Sequence, residues 1–240
     1  MTEITIKGLD ELRAALDQFS DRRFNAAIAT ALTRTASKVR DSMRIEMART
    51  LDRPTPYTLN SLYVKIATAD NLNASVKFKD SKAESGSNTP AASYMLPNVE
   101  GGKRKTKGFE AALRSMGALP GGWLVVPGPG ATLDIYGNVS RGQVQQILAQ
   151  LKTGSVKAGA QRKAGGQYFV LMPGAKAAPG IYQRELLGRN VTPVFLYVST
   201  AAYRQRLDFY GKGKDVIEAN LSNEIEVSVR EHIARLEAKK

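Results

Sequence analysis

The chain has 240 residues, a formal net charge of +13 and no cysteine. The absence of cysteine excludes disulfides, thiol catalysis, iron-sulfur clusters and cysteine-bound zinc from this chain. Hydrophobic residues make up 42% and charged residues 24%, which is ordinary globular usage, so a core can form by packing alone. The excess of positive charge predicts a surface that attracts polyanions such as DNA, RNA or an acidic protein face.

The first twenty residues carry four acids and no long apolar run. No other segment approaches the roughly 20 apolar residues of a membrane span. We therefore expect neither a signal peptide nor a membrane anchor, and we expect synthesis in the cytoplasm.

A long amphipathic helix is predicted after Ser20 and Asp21, because apolar residues recur every three or four positions from Phe24 to Met47. A shorter helical segment, 9–19, precedes it. The polar face of the long helix carries a basic stripe, which is either a solvated face or a surface for a partner or a passing polyanion. The stripe consists of Arg22, Arg23, Arg34, Lys38, Arg40, Arg44 and Arg49.

The two prolines in 51–57 end this helix. Alternating apolar residues then predict an antiparallel hairpin over 62–66 and 74–78. Segments 168–172, 180–184 and 193–198 are rich in β-branched and aromatic residues and are expected to complete one small sheet with that hairpin. A C-terminal helix is predicted over 214–238, with its apolar residues on one side.

Residues 81–166 differ in texture, since Gly, Ser, Pro and Lys dominate there. Two short helices are predicted inside this region, at 109–116 and 141–151. Loops of such length are unusual in a compact domain, so the region is interpreted as a functional insertion. The predicted organisation is a core domain, 1–80 with 167–240, and an inserted, loop-rich assembly region, 81–166. The predicted fold class is α+β, with the two terminal helices packed on a small antiparallel sheet.

No motif predicts catalysis, and we expect a protein that is not an enzyme and uses no metal or cofactor. His232 is the sole histidine, so a metal site or a Ser/His pair lacks its second member. The glycine clusters near Gly128 and Gly211 lack the spacing of a phosphate-binding loop and are interpreted as turns. Glu110 and Asp134 are isolated acids with no pairing signal.

Candidate contact residues come from the basic stripe and from two lysine-rich stretches of the insertion. We expect loops that order against neighbouring subunits on assembly, with nucleic-acid contact or no role in binding as the alternatives. Trp123 is expected to anchor the insertion in a core rather than to stack on bases. The candidate residues are Arg34, Lys38, Lys103, Arg104, Lys105, Lys107, Lys157, Arg162 and Lys163.

Three blocks carry a resemblance to a known family. The first is ALTRTASKVRDSM with the proline-tyrosine break that follows it. The second joins YMLPNVEGGKR, FEAALRSMGALP and LDIYGNVSRGQVQQIL, and the third joins GIYQRE and PVFLYV. In this order, over most of residues 20–235, the blocks resemble tailed-phage minor tail proteins of the lambda protein Z type, which are related to head-tail joining and tail-completion proteins.

This resemblance implies a long helix packed on an antiparallel sheet, and a structural virion protein that forms a homo-oligomeric ring, expected to be a hexamer, in the neck of the particle. It implies contact with the tail terminator, the tail tube and head-tail connector or adaptor proteins, and non-specific contact with packaged DNA. It implies no catalytic residue, cofactor or metal. The alternative that the charge suggests is a general, sequence-independent nucleic-acid-binding protein.

Overall fold

The structure is a computed structural model, and it describes residues 3–5, 22–80, 89–103, 106–152, 167–184, 190–200 and 202–238. Its helices and small antiparallel sheets confirm the predicted α+β class. The helices are α1 (Arg22–Thr50), α2 (Pro56–Leu59), α3 (Ala91–Glu100), α4 (Gly108–Ser115), α5 (Arg141–Lys152) and α6 (Phe209–Glu237). The strands are β1 (Glu3–Thr5), β2 (Leu62–Lys65), β3 (Ser75–Phe78), β4 (Gly102–Lys103), β5 (Leu124–Pro127), β6 (Gln167–Leu171), β7 (Gly180–Arg184), β8 (Val191–Val198) and β9 (Ala202–Tyr203).

The chain forms two compact units. The first comprises Met1–Gly102 with Arg204–Lys240, and the second comprises Lys103–Tyr203. The chain therefore leaves the first unit and returns to it, as an insertion does. The inserted unit is displaced from the predicted 81–166 at both ends. Helix α3 belongs to the first unit, whereas β6, β7 and β8 belong to the second.

The first unit is built on α1, whose buried residues recur at helical spacing and form most of its core. The sheet in this unit has the strand order β1-β3-β2, and Leu62 and Val64 lie opposite Phe78 and Val76. Apolar residues of α6, from Val216 to Val229, pack against the same core. Arg34 of α1 pairs with Glu231 of α6, whereas Lys38, which is later in α1, pairs with Glu224, which is earlier in α6. The two helices are therefore antiparallel.

The second unit has its own antiparallel sheet, in the order β5-β8-β7-β6, and its own core. Helices α4 and α5 contribute Leu113 and Ile147, both fully buried, and Trp123 packs half-buried against the same cluster, which agrees with the anchoring role expected for it. A separate two-stranded ribbon pairs β4 with β9.

The prediction of one sheet was wrong. The hairpin β2–β3 is completed by β1, whereas β6, β7 and β8 pair among themselves and with β5. Alternation of apolar residues identifies a strand and its buried face, but it carries no information about which strand lies beside it.

The C-terminal helix begins at Phe209, five residues before its predicted start, and Gly211 lies inside its first turn. The interpretation of this glycine as a loop turn was therefore wrong. Asp208 accepts a hydrogen bond from the backbone N–H of Gly211 at 2.9 Å, which is the contact of an N-cap, so the helix starts there despite the glycines. The cluster at Gly128 does form a turn, since Ala131 N–H donates to the Gly128 carbonyl at 3.0 Å.

Candidate interaction surfaces

Arg34 and Lys38, two of the predicted contact residues, pair with carboxylates of α6. The Arg34 guanidinium donates two hydrogen bonds to Glu231, at 3.1 and 2.9 Å. The Lys38 ammonium lies 2.7 Å from Oε1 of Glu224 and donates to Oδ1 of Asn220 at 3.0 Å. The hydrogen bond from Arg34 lowers the pKa of Glu231 and raises the pKa of Arg34.

These two charges are therefore engaged within the chain. The side chain of Glu224 is only 10% exposed, and a nearly buried carboxylate without a cation is costly. Releasing Lys38 to a polyanion would leave that carboxylate unpaired. Arg34 and Lys38 therefore contribute to the α1–α6 contact, and their contact with other molecules stays a prediction.

Three of the other five residues of the basic stripe form ion pairs at the surface. Arg22 pairs with Asp70 at 3.3 Å, Arg40 with Asp41 at 2.8 Å, and Arg49 with Glu46 at 3.8 Å. Exposed pairs of this kind contribute little to stability and are screened by salt. The first of the two readings of the stripe, a solvated face, fits these residues.

The lysine-rich stretches of the insertion are described only in part. Lys107 is exposed and precedes α4, and its backbone N–H donates to Oε2 of Glu110 at 2.8 Å. Lys103 lies in β4, but its side chain is outside the described residues. The candidates Arg104, Lys105, Lys157, Arg162 and Lys163 also lie outside the described residues. Their ordering on assembly stays a prediction.

A tight loop of the second unit, residues 132–140, exposes apolar side chains on a fixed backbone. We call it the 132–140 hairpin. Leu133 and Val139 form an antiparallel bridge, and Ser140 N–H donates to the Thr132 carbonyl at 2.8 Å. At its tip, Oδ1 of Asp134 accepts hydrogen bonds from the N–H groups of Tyr136 at 2.9 Å and Asn138 at 2.8 Å. Asp134 therefore has a structural task in this loop.

Helix α5 ties the base of this hairpin to the rest of the second unit. Gln143 is buried in that helix and its Oε1 accepts the Thr132 N–H at 2.8 Å. Its Nε2 donates to the Gly130 carbonyl at 3.1 Å. Both ends of the amide are thus satisfied by the loop, as a buried polar group requires.

The 132–140 hairpin leaves two aliphatic side chains in solvent. Leu133 is 48% exposed and Ile135 is 78% exposed. Single exposed aliphatic residues are common on protein surfaces. Here the backbone that carries them is fixed by hydrogen bonds, so little conformational entropy would be lost when a partner covers them. This arrangement suits a protein-protein contact.

Sequence reasoning did not single out this hairpin, although it lies in the block LDIYGNVSRGQVQQIL. A usable signal was present in the residue order. An Asp side chain can accept hydrogen bonds from N–H groups two and four residues on, and Gly137 takes the positive φ, 78°, that closes the turn.

Chemistry-bearing groups in the described ranges do not assemble a metal site: no group of three or more His, Cys, Asp or Glu side chains there could hold an ion. His232 lies half-buried on α6. Glu110 and Asp134 both accept backbone hydrogen bonds in the second unit. None of the described helices combines the length and the apolar character needed to cross a membrane.

Comparisons of the chain with protein-family models, with curated proteins and with solved structures find no match.

Proposed function

We propose that this chain is a non-enzymatic structural protein of a tailed-phage virion, and that it acts in the neck as a component of a tail-completion or head-tail joining ring. The order of the three sequence blocks supports the family, and the 132–140 hairpin supports an assembly role. This hairpin is the observation on which the assembly role depends, because it presents Leu133 and Ile135 on a backbone already fixed for contact.

A ring of identical copies needs one contact that each copy makes with the next. Such a head-to-tail contact joins two different surfaces of the chain and closes into a ring when the rotation between copies allows it. The 132–140 hairpin would supply one of these surfaces. The ring, expected to be hexameric, would then meet the tail terminator and the tail tube on one side and connector or adaptor proteins on the other.

Removing the protein from the particle tests the role. We expect particles made without it to appear in electron micrographs as tailless heads beside free tails. Normal infectious particles would contradict the proposal, and so would turnover of a substrate by the purified protein.

The hairpin is tested by exchanging the more exposed of its two aliphatic side chains in solvent. Ile135→Ser should lower the assembled fraction measured by light scattering and should prevent complementation of the deficient particles. Ile45→Ser is the matched control, since Ile45 is also largely exposed but lies on α1. Equal assembly by both variants would show that the hairpin is not the contact.

The second candidate is a sequence-independent nucleic-acid-binding protein without a role in the neck, and the net charge of +13 favours it. Tight binding of short duplex DNA by a lone subunit at physiological salt, together with infectious particles in the absence of the protein, would favour this second candidate.

A further inference from the structure

A short segment of the first unit carries three exposed cations that lie beyond ion-pair distance of every carboxylate that the structure describes. We call residues 204–212 the basic segment. Arg204, Arg206 and Lys212 are all exposed, and none of the three forms an ion pair with any residue in the part of the chain that the structure describes. Arg44 on α1 and Arg141 at the start of α5 are likewise exposed without an ion pair among the described residues, but six other cations are engaged. Arg22, Arg34, Lys38, Arg40, Arg230 and Arg235 each lie within ion-pair distance of a carboxylate.

The basic segment is held by two buried side chains. Leu207 and Phe209 are both fully buried in the core of the first unit, and the Phe209 ring packs against Phe78 with 5.2 Å between ring centroids. Arg204 and Arg206 come before these anchors, and Lys212 follows them. The exposed charged residues therefore flank the two buried anchors, and these anchors hold the backbone that carries the charges.

Backbone hydrogen bonds fix the same segment at its centre. The N–H groups of Arg206 and Leu207 both donate to the carbonyl of Asn98, at 2.8 and 2.9 Å. Asn98 lies in the last turn of α3, where carbonyls lack a partner inside the helix. The bond from Gly211 to Asp208 fixes the start of α6. A surface of this kind loses little backbone entropy when it binds a ligand.

The one acid inside the basic segment does not neutralise these cations. Asp208 accepts the Gly211 N–H, which is the task of a helix N-cap. Tyr210 lies in the same turn with its ring about half exposed and set edge-on to Phe209. The segment thus offers three cations and one aromatic hydroxyl to solvent.

We propose that the basic segment binds the phosphate backbone of duplex DNA and does so without reading bases. Unpaired cations suit this ligand, because a cation already paired with a carboxylate must break that contact before it binds a phosphate. Phosphate contacts position a protein on DNA but carry no sequence information. The choice of packaged duplex DNA as the polyanion rests on the proposed neck function. Arg204, Arg206 and Lys212 were not among the contact residues predicted from the sequence.

The test measures binding of the full-length chain to two short duplexes of unrelated sequence over a range of salt concentrations. Each neutralised phosphate contributes about 0.9 to the slope of log K against log salt concentration. The triple variant Arg204→Gln, Arg206→Gln, Lys212→Gln should therefore reduce the slope by about 2 to 3, equally for both duplexes.

The matched control removes the same number of charges from cations that are engaged in ion pairs: Arg22→Gln, Arg230→Gln, Arg235→Gln. We expect this control to reduce the slope by less than about 1. Circular dichroism spectra and melting temperatures of both triple variants are compared with those of the wild type, so that loss of binding is scored only for folded protein.

Equal losses in the two triple variants would overturn the proposal, because net charge alone would then explain binding. Polyglutamate that binds the wild type as tightly as duplex DNA would also overturn it, in favour of an acidic protein face. The proposed neck function can fail separately: infectious particles without the protein would contradict that function and leave the measured DNA contact in place.

Discussion

Glu110 and Val125 are joined by a hydrogen bond in which the backbone N–H of Val125 donates to Oε1 of the glutamate at 2.8 Å. Val125 lies in β5, an edge strand of the four-stranded sheet. The Glu110 carboxylate is fully buried, and its other oxygen accepts the Lys107 N–H. At the opposite edge, Gln150 of α5 accepts the Tyr168 N–H of β6 at 2.9 Å. Helix side chains thus occupy backbone donors at both edges, which hinders pairing with another chain.

Replacing Glu110 should destabilise the second unit. In Glu110→Gln, an amide N–H₂ would face one of the two backbone donors, so one hydrogen bond is lost and one buried N–H stays unsatisfied. We expect a loss of about 1–3 kcal/mol in the free energy of unfolding, measured by urea denaturation. Glu218→Gln is the control, because Glu218 is exposed. Equal stability of the two variants would contradict the role assigned to Glu110.

The contact between α1 and α6 predicts coupling between Lys38 and Glu224. Lys38→Met leaves a nearly buried carboxylate without its cation and should cost about 1–3 kcal/mol. Adding Glu224→Met removes that unpaired charge, so the double variant should be more stable than the sum of the single changes predicts, by about 0.5 kcal/mol or more. A double-mutant cycle by chemical denaturation measures this difference. Strict additivity would show that the pair does not couple the helices.

The ion pair between Arg34 and Glu231 is expected to stabilise the fold to an extent that depends on pH. The pKa of Glu231 is lower in the folded chain than the usual value of 4.5, because Arg34 donates hydrogen bonds to it. The stabilisation is therefore present above the unfolded pKa and is lost as the pH falls through the lower folded pKa. Between about pH 5 and pH 3 the wild type should lose more stability than Glu231→Gln. Thermal melts across this range test it, and parallel pH curves would contradict it.

Local patterns in the sequence were sufficient for much of the fold. Helical spacing identified α1, and it also located α4 and α5 within one residue of their observed bounds. These predictions succeed because amphipathic spacing is set by each element alone. The choice of strand partners is a long-range property, and it was there that the prediction of one sheet failed.

Local patterns also did not reveal the partners of the candidate contact residues. The spacing of Arg34 and Lys38 places them correctly on the polar face of α1, but it does not show that α6 brings Glu231 and Glu224 to that face. The basic segment, 204–212, was not among the predicted contact residues. Its cations are spread among apolar residues, and their availability follows from burial of Leu207 and Phe209 rather than from a run of charges.

Because of Tyr197, we expect the free energy of unfolding to decrease at alkaline pH. The Tyr197 hydroxyl donates to the Ala118 carbonyl at 2.8 Å, and burial raises the pKa of the phenol well above its usual range. The folded chain holds this proton more tightly, so stability falls as the pH rises above the unfolded pKa near 10. Tyr197→Phe should cost about 1–2 kcal/mol at neutral pH, and this gap should narrow above about pH 10. A gap that stays constant would contradict the assignment.

We expect the effect of Gly211→Ala on stability to depend on whether Asp208 is present at the start of α6. A Cβ at position 211 would lie 2.2 Å from Oδ2 of Asp208, so alanine displaces the carboxylate that caps the helix. Loss of such a cap costs about 1 kcal/mol. Alanine in a helix is otherwise favoured over glycine by about 1 kcal/mol. The two effects nearly cancel in the wild type.

In the Asp208→Ala background no cap is left to lose, and Gly211→Ala should then stabilise the protein by up to about 1 kcal/mol. Thermal and urea unfolding of the two single variants and the double variant measure this difference. Gly121→Ala is a control for the general effect of removing a glycine, since a Cβ there meets no atom within 4 Å. If Gly211→Ala has the same effect in both backgrounds, the Asp208 carboxylate does not cap α6, and the backbone of the basic segment is not fixed in the way that the DNA contact requires.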